Sequence, residues 1–228
     1  MLIAKPLKTL SQAIIASSAV VILSGCIIHV GGGSNDTSSG NSVSSVFGGL
    51  EVSQGKHVSN VSSVNGSIQL HDDVTARTVD TVNGSIEMGE YVSVQNATTV
   101  NGDISAEQHF SSAGVVKTVN GDISLQAFSN VAEDVETING EIKLNGVLVE
   151  GSVHTHTGDI LLTNNTQVLG DIIFHKNNGN NSNQSVPTLS IKHSATVSGQ
   201  IILYREVELN IDDAQLLNKI EFQFDDEK

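Results

Sequence analysis

Four carboxylates recur at a nearly constant spacing in the middle of the sequence. Each directly follows a glycine, and together they are Asp103, Asp122, Glu141 and Asp159. If one structural repeat separates them, their side chains form an outward column about 4.8 Å apart. This acidic column is typical of a solvated acidic face, and its oxygens also suit weak binding of Ca²⁺. Carboxylates about 5 Å apart serve retaining glycosidases too, but the chain has no Trp and 2 Tyr with which to stack on a sugar. We therefore expect a solvated face, with a Ca²⁺ site as the alternative.

Two histidines have a spacing that would suit a transition metal. His154 and His156 are two residues apart, so on a strand their side chains would share one face. His156, however, occupies the repeat position of Val64, which we expect to be buried. The sequence places neither a cysteine nor a third histidine beside the pair. We therefore expect structural histidines, with His156 pointing inward, and no metal site.

The single cysteine, Cys26, stands at the end of the segment LSGC, residues 23–26. This segment resembles the lipobox of bacterial lipoproteins, in which small residues admit the signal peptidase and the thiol is the nucleophile that receives diacylglycerol. Lys5 and Lys8 precede an apolar run that is too short to span a bilayer and is typical of a secretory signal peptide. We expect a signal peptide over residues 1–25 and lipidation at Cys26. The alternative is a short buried helix with a packed cysteine.

Residues 26–45 read as a tether between this anchor and the body of the chain. From Gly31 to Ser45 the sequence is GGGSNDTSSGNSVSS, a Gly/Ser-rich composition with nothing to bury. Several acyl chains at Cys26 would hold the protein firmly on a membrane. In a Gram-negative host, Ile27 replaces the aspartate that signals retention in the inner membrane. We therefore expect a cell-envelope protein, in the outer membrane of such a host.

Composition excludes several classes of partner and site. The net charge is −14, from 25 acidic and 11 basic residues, so nucleic acid would be repelled and is not expected as a partner. Hydrophobic residues make up 38% of the chain but aromatic residues only 4%. The core must therefore consist of Val, Ile and Leu, which favour strands. One cysteine also excludes an intrachain disulfide and any metal site built on several cysteines.

The body of the chain is a tandem repeat of 18 or 19 residues. Its Val-Asn-Gly-x-Ile motif has copies at Val64-Asn65-Gly66, Val82-Asn83-Gly84, Val100-Asn101-Gly102, Val119-Asn120-Gly121 and Ile138-Asn139-Gly140, a degenerate copy at His156-Thr157-Gly158 and a worn one at Gly48. Units that cannot bury their own apolar face stack into solenoids. The sequence therefore predicts an all-β, single-domain parallel β-solenoid over residues 46–228, right-handed as parallel crossovers are.

Alternation around each glycine predicts which side chains fill the interior. Aliphatic residues stand two before, two after and four after the glycine, as in Val100, Ile104 and Ala106. A period of two with one buried face is typical of strands, so we expect all three positions to form buried columns. The Asn residues should form a ladder of amide hydrogen bonds. The glycines should serve a bend that needs unusual backbone angles.

The period loosens after Gly158. The segments Gly170-Asp171-Ile172 and Gly199-Gln200-Ile201 look like later copies of the motif. Between them, the polar stretch from Lys176 to Pro187 predicts an extruded loop. The alternating pattern from Val207 to Phe224 predicts strands that cap the last coil.

The lipobox, the tandem coils and the closing segment from Val197 to Leu209 resemble a bacterial family of β-solenoid proteins of unknown function that are labelled adhesins. The resemblance covers about Phe47 to the C-terminus and implies a right-handed parallel β-solenoid. The copies near Gly170 are more distantly similar to bactofilins, solenoids that polymerise end to end. The resemblance transfers neither a catalytic residue nor a cofactor.

We therefore expect a non-catalytic lipoprotein at the cell envelope, with Ca²⁺ the sole candidate cofactor. Its membrane partner is reached through Cys26, and its solenoid would bind a protein, a glycan or another copy of itself. The alternatives are a self-assembling envelope scaffold and, third in order, a glycan-active β-helix enzyme.

Overall fold

The computed structural model of this chain describes residues 28–30, 41–176, 185–192 and 194–224. The expected signal peptide, Cys26, most of the expected tether and residues 177–184 of the expected loop lie outside the described residues. Strands are numbered in chain order. The described part is all-β apart from one 3₁₀ helix, and it forms a parallel β-solenoid as predicted.

Sheet A has ten parallel strands and begins just after each Asn-Gly corner, where the Ile of the motif enters the core. Its strands in spatial order are β1 (Ile28–Val30), β3 (Leu50–Val52), β5 (Ile68–Leu70), β7 (Ile86–Met88), β10 (Ile104–Ala106), β13 (Ile123–Leu125), β16 (Ile142–Asn145), β19 (Ile160–Thr163), β22 (Thr188–Ile191) and β25 (Glu208–Ile211).

The other two faces of the solenoid are sheets C and B, which each coil visits in that order before returning to sheet A. Sheet C contains β8 (Ser93–Val94), β11 (Ser111–Ser112), β14 (Asn130–Val131), β17 (Leu148–Val149), β20 (Gln167–Val168) and β23 (Thr196–Val197). Sheet B contains β2 (Val43–Phe47), β4 (Asn60–Asn65), β6 (Thr78–Asn83), β9 (Asn96–Asn101), β12 (Val116–Lys117), β15 (Val135–Glu136), β18 (Val153–Thr155), β21 (Ile172–Phe174), β24 (Ile201–Leu203) and β26 (Ile220–Phe222). The strands β1 and β2 lie upstream of residue 46, so the parallel pairing starts before the boundary expected from the sequence.

The interior is a stack of aliphatic columns in register. Ile104 pairs with Ile86 on one side and Ile123 on the other, and all three are fully buried. The position four after the glycine is buried as well, at Ala106 and Leu125. These two predicted columns are confirmed, and they hold the coils together because no single coil can bury its own apolar face.

The column two residues before the glycine was assigned to the wrong face. Val64, Val82 and Val100 are 41%, 40% and 39% exposed. The buried residue is instead the Ser or Thr three before the glycine, such as Thr99, whose hydroxyl donates to the Gly84 carbonyl oxygen at 2.9 Å. The corner shifts the alternation by one residue, so a period of two does not continue from sheet B into sheet A.

The Gly170 and Gly199 segments are also not further copies of the Asn-Gly corner. Ile172 pairs with Val153 and Ile201, which places it in sheet B rather than sheet A. These glycines stand at the corner from sheet C to sheet B, where each lies against the backbone of the coil before it. The chain therefore has two glycine-lined corners, which share a local sequence of glycine, polar residue and isoleucine.

The C-terminal coil closes sheet C with a helix in place of a strand. The 3₁₀ helix Ala214–Lys219 buries Leu216, and Asp213 caps it by accepting from the Gln215 N–H at 2.9 Å. The Lys219 ammonium donates to the carbonyl oxygens of Val197 and Ser198, at 2.7 and 2.9 Å. A cation thus occupies carbonyls that another strand would otherwise pair with.

Candidate functional site

The acidic column faces outward, and its carboxylates hydrogen-bond the backbone of the next coil. An oxygen of Asp103 accepts from the Asp122 N–H at 2.8 Å, and an oxygen of Asp122 accepts from the Glu141 N–H at 2.7 Å. Further along, Asp159 accepts from the Thr188 N–H at 2.7 Å. Two coils earlier the hydroxyl of Ser85 does the same for the Asp103 N–H at 3.2 Å. The column is therefore a ladder that satisfies corner N–H groups, a structural use for residues whose spacing resembled a site.

The arrangement leaves little acidic chemistry free. Glu141 pairs with the Lys143 ammonium at 2.6 Å, and this contact raises the pKa of Lys143. Among the described residues, no group of three or more His, Cys, Asp or Glu side chains is placed to hold a metal ion. Binding of Ca²⁺ by the remaining carboxylate oxygens stays a prediction.

A second ladder of the same kind runs along the corner from sheet C to sheet B. Asp134 accepts from the Ser152 N–H at 2.8 Å, Ser152 from the Asp171 N–H at 3.0 Å, and Asp171 from the Gln200 N–H at 2.7 Å. Sequence reasoning missed it, although Gly151-Ser152 and Gly170-Asp171 repeat the glycine-acceptor order of the first corner. The signal was present but was read as part of one motif.

The predicted asparagine ladder is confirmed. The side-chain amide of Asn101 donates to Asn83 at 2.9 Å, that of Asn120 to Asn101 at 2.8 Å, and that of Asn139 to Asn120 at 2.8 Å. At the degenerate copy, the Thr157 hydroxyl donates to Asn139 at 2.6 Å. Each amide both donates and accepts, so the row is a continuous hydrogen-bonded chain along the solenoid.

The glycines beside this ladder are required for a different reason from the one expected. A Cβ on Gly66, Gly84, Gly102 or Gly121 would lie 2.0–2.3 Å from the carbonyl oxygen of the preceding coil's glycine. Their φ angles are not in the left-handed region, unlike that of Gly140 at +146°. Close approach of two backbones, rather than a special φ, accounts for these four glycines.

The two predicted histidines join a third that the sequence did not place near them. His175 stacks on His154 and His156, with ring centroids 5.4 and 4.7 Å apart. Nδ1 of His154 lies 3.1 Å from Nε2 of His175, and its Nε2 lies 3.6 Å from an Asp134 carboxylate oxygen. His156 is half-buried in this outer cluster, so the expectation that it points inward is wrong, for the same reason that Val64 is exposed.

The histidine cluster holds its central ring neutral. Burial lowers the pKa of His175, the neighbouring His156 and His154 lower it further, and Glu136 opposes them. Arg205 adds a fixed positive charge nearby, because its guanidinium donates to the His156 carbonyl oxygen at 2.8 Å. Tyr204 stacks over His175 at 6.3 Å. The cluster is a stack of rings whose protonation is opposed by its surroundings.

A row of aromatic rings stands exposed on the turn from sheet A to sheet C. It consists of Tyr91, His109 and Phe128, whose rings stack with centroids 4.5 and 5.0 Å apart. Tyr91 is 54% exposed and Phe128 71% exposed. The sequence analysis did not identify this aromatic row. The spacing of 18 and 19 residues, equal to the repeat, is the signal that would have revealed it.

The aromatic row occupies a strained backbone position. The φ angles of Tyr91, His109 and Phe128 are 58°, 62° and 64°, and this left-handed region costs a non-glycine residue about 1–2 kcal/mol. The corresponding turns of other coils use Gly55 and Gly146, with φ of 70° and 69°. The fold therefore accepts glycine in this turn at a lower conformational cost. Backbone geometry alone does not explain why three successive coils carry rings here.

Models of known protein families, curated proteins and solved structures give no match to this chain. Within the described ranges, no helix combines the length and the apolar character needed to cross a membrane. What the fold defines is a class: a three-sided parallel β-solenoid whose two glycine corners carry structural ladders and whose third turn presents an exposed aromatic row.

Proposed function

We propose that this chain is a lipid-anchored protein of the bacterial cell envelope whose β-solenoid acts by binding and not by catalysis. The order of basic residues, apolar run, LSGC segment and Gly/Ser-rich stretch supports the anchor at Cys26. In a Gram-negative host, we place it in the outer membrane. The solenoid then serves as a rigid arm that presents its outer rows away from the membrane.

The observation that carries the binding role is the division of labour among the outer rows. The carboxylates that would be the first candidates for acid–base chemistry hydrogen-bond backbone N–H groups at both corners, as Asp122 and Asp171 do. The aromatic row makes no comparable contribution to the backbone and is exposed. Exposed aromatic side chains on a rigid scaffold are typical of recognition surfaces.

The described C-terminal end argues for a binding protein over an end-to-end scaffold. Lys219 occupies carbonyl oxygens at the edge of sheet C. Glu208 and Glu221 stand on the edge strands of sheets A and B. Charged edge residues oppose pairing with the end of another copy. Polymerisation through this end would have to bury these charges.

The anchor is tested by replacing Cys26 with Ser in cells grown with labelled fatty acid. We expect the wild-type chain to take up label and to sediment with membranes, and Cys26→Ser to lose both properties. Ser11→Ala, a change elsewhere in the same N-terminal segment, is the matched control and should behave as wild type. An unlabelled wild-type chain, or a Cys26→Ser chain that stays in the membrane fraction, would contradict the proposal.

A further inference from the structure

The aromatic row stops abruptly after Phe128, and the reason is a shorter turn in the next coil. Leu125 pairs with Leu144, and Asn130 pairs with Leu148. Between these partners, the coil of Phe128 has one residue more than the coil that follows it. The missing residue and the absent side chain of Gly146 leave nothing in that coil to continue the stack. One face of the Phe128 ring packs on His109, while the residue as a whole stays 71% exposed.

The turn returns to full length one coil further on. Leu162 pairs with Leu144, and Gln167 pairs with Leu148, so the coil containing Asn164 and Asn165 has the longer turn again. Phe128 and this pair of asparagines are therefore two coil spacings apart, roughly 9.6 Å. The recess between them, floored by Gly146, has the thickness of one stacked ring. We call it the Gly146 recess.

Amide groups line the same turn. The side-chain amide of Asn145 donates to Gln126 at 3.0 Å, and that of Asn164 donates to Asn145 at 2.7 Å. Within the described residues, the side-chain NH₂ of Gln126 and the side-chain oxygen of Asn164 have no hydrogen-bond partner. The recess thus combines one aromatic face with unpaired amide donors and acceptors that carry no charge.

We infer that the Gly146 recess binds one pyranose ring of a neutral glycan, stacked on Phe128 and hydrogen-bonded by the amides of Gln126 and Asn164. A pyranose with equatorial substituents has an apolar face of C–H groups and a rim of hydroxyls, which match the ring and the amides in turn. The net charge of −14 disfavours anionic glycans. This inference rests on the proposed binding role and names its ligand class.

The test uses the full acylated chain in detergent micelles and isothermal titration calorimetry with cellopentaose and chitopentaose, two neutral β-linked oligosaccharides. We expect binding of at least one of them. Phe128→Gly should weaken that binding about tenfold, a change of about 1.4 kcal/mol. Glycine relieves the left-handed φ of 64°, so loss of the fold is not expected, and circular dichroism checks it. Phe128→Asn is a second variant that tolerates this φ.

The matched control is Phe222→Ala, which removes a ring that is 62% exposed on β26, away from the recess. It should bind as wild type does. The inference is overturned if neither oligosaccharide binds at millimolar concentration, or if Phe128→Gly binds as tightly as wild type. Binding of an aromatic protein segment in place of both sugars would belong to that first outcome.

Failure of this inference can be told apart from failure of the proposed function. A chain that is acylated at Cys26 but binds neither sugar keeps the anchor and loses the ligand class. A chain that binds sugar without acylation does the reverse. Chromatography of the oligosaccharide after incubation should recover it intact. Shortened products would contradict the non-catalytic role.

Discussion

Replacing Gly102 by alanine separates two explanations for the glycine column. If glycine served an unusual φ, alanine would be tolerated here, because φ at Gly102 is not in the left-handed region. If glycine serves the close approach of two coils, alanine places its Cβ 2.1 Å from the carbonyl oxygen of Gly84. Relief of that contact requires the coils to separate locally by roughly 1 Å or more.

The cost follows from the hydrogen bonds that cross this separation. They include the Gly84 N–H to the Asn101 carbonyl at 3.0 Å, the Asn101 amide to Asn83 at 2.9 Å, and the Thr99 hydroxyl to the Gly84 carbonyl at 2.9 Å. At about 1 kcal/mol each, their loss lowers the free energy of unfolding by about 3 kcal/mol. For a domain of this size, the midpoint of thermal unfolding should fall by about 6–12 °C.

The assay is thermal unfolding followed by circular dichroism, with urea unfolding as the second measurement. Gly55→Asn is the control, because Gly55 has a φ of +70° that asparagine tolerates, and nothing lies within 4 Å of its added Cβ. Its free energy of unfolding should stay within about 0.5 kcal/mol of wild type. If Gly102→Ala also stays in that range, the close-approach explanation is refuted.

Three other outcomes are expected. Ile104→Asp buries an unpaired charge in a column that is fully buried and should prevent folding, whereas Asp103→Ser keeps an oxygen for the Asp122 N–H and should be tolerated; the reverse order in thermal melts would mean that the strand faces are inverted. Because the pKa of His175 is lowered in the fold from its ordinary 6.5, the unfolded chain binds this proton more tightly, so stability should be full above about pH 6.5 and fall as the pH drops below it; a His175→Gln chain whose urea midpoint falls as steeply between pH 7.5 and pH 5.5 would remove the cluster as the cause. Calcium at millimolar concentration and constant ionic strength should leave the melting temperature unchanged, since oxygens of Asp103 and Asp122 already accept from the backbone; tight stoichiometric binding would instead make the acidic column a site.

The sequence by itself determined the coil and the contents of its core. A repeat of 18 or 19 residues brings like residues into register, so the columns of Ile104 and Ile123 and the ladder of Asn101 and Asn120 followed from spacing alone. Both predictions hold because they require just that identical positions stack at one strand spacing.

The sequence did not determine what happens at the corners. Val100 is exposed because the Asn-Gly corner changes the phase of the alternation, and the period of two carries information only within a strand. The role of Gly102 depends on how closely the backbone of the coil before it approaches, which is a distance between chain segments. Neither is visible in the local pattern of residues.

The candidate binding surfaces were decided by the tertiary structure. His175 reaches His154 because the coils differ in length on the way, so their separation of 21 residues does not match the repeat. The Gly146 recess exists because one turn is a residue shorter than the turns on either side of it. A periodic sequence predicts what is common to all coils, whereas a binding site on a solenoid arises where neighbouring coils differ, and such differences acquire a shape only once the coils are stacked.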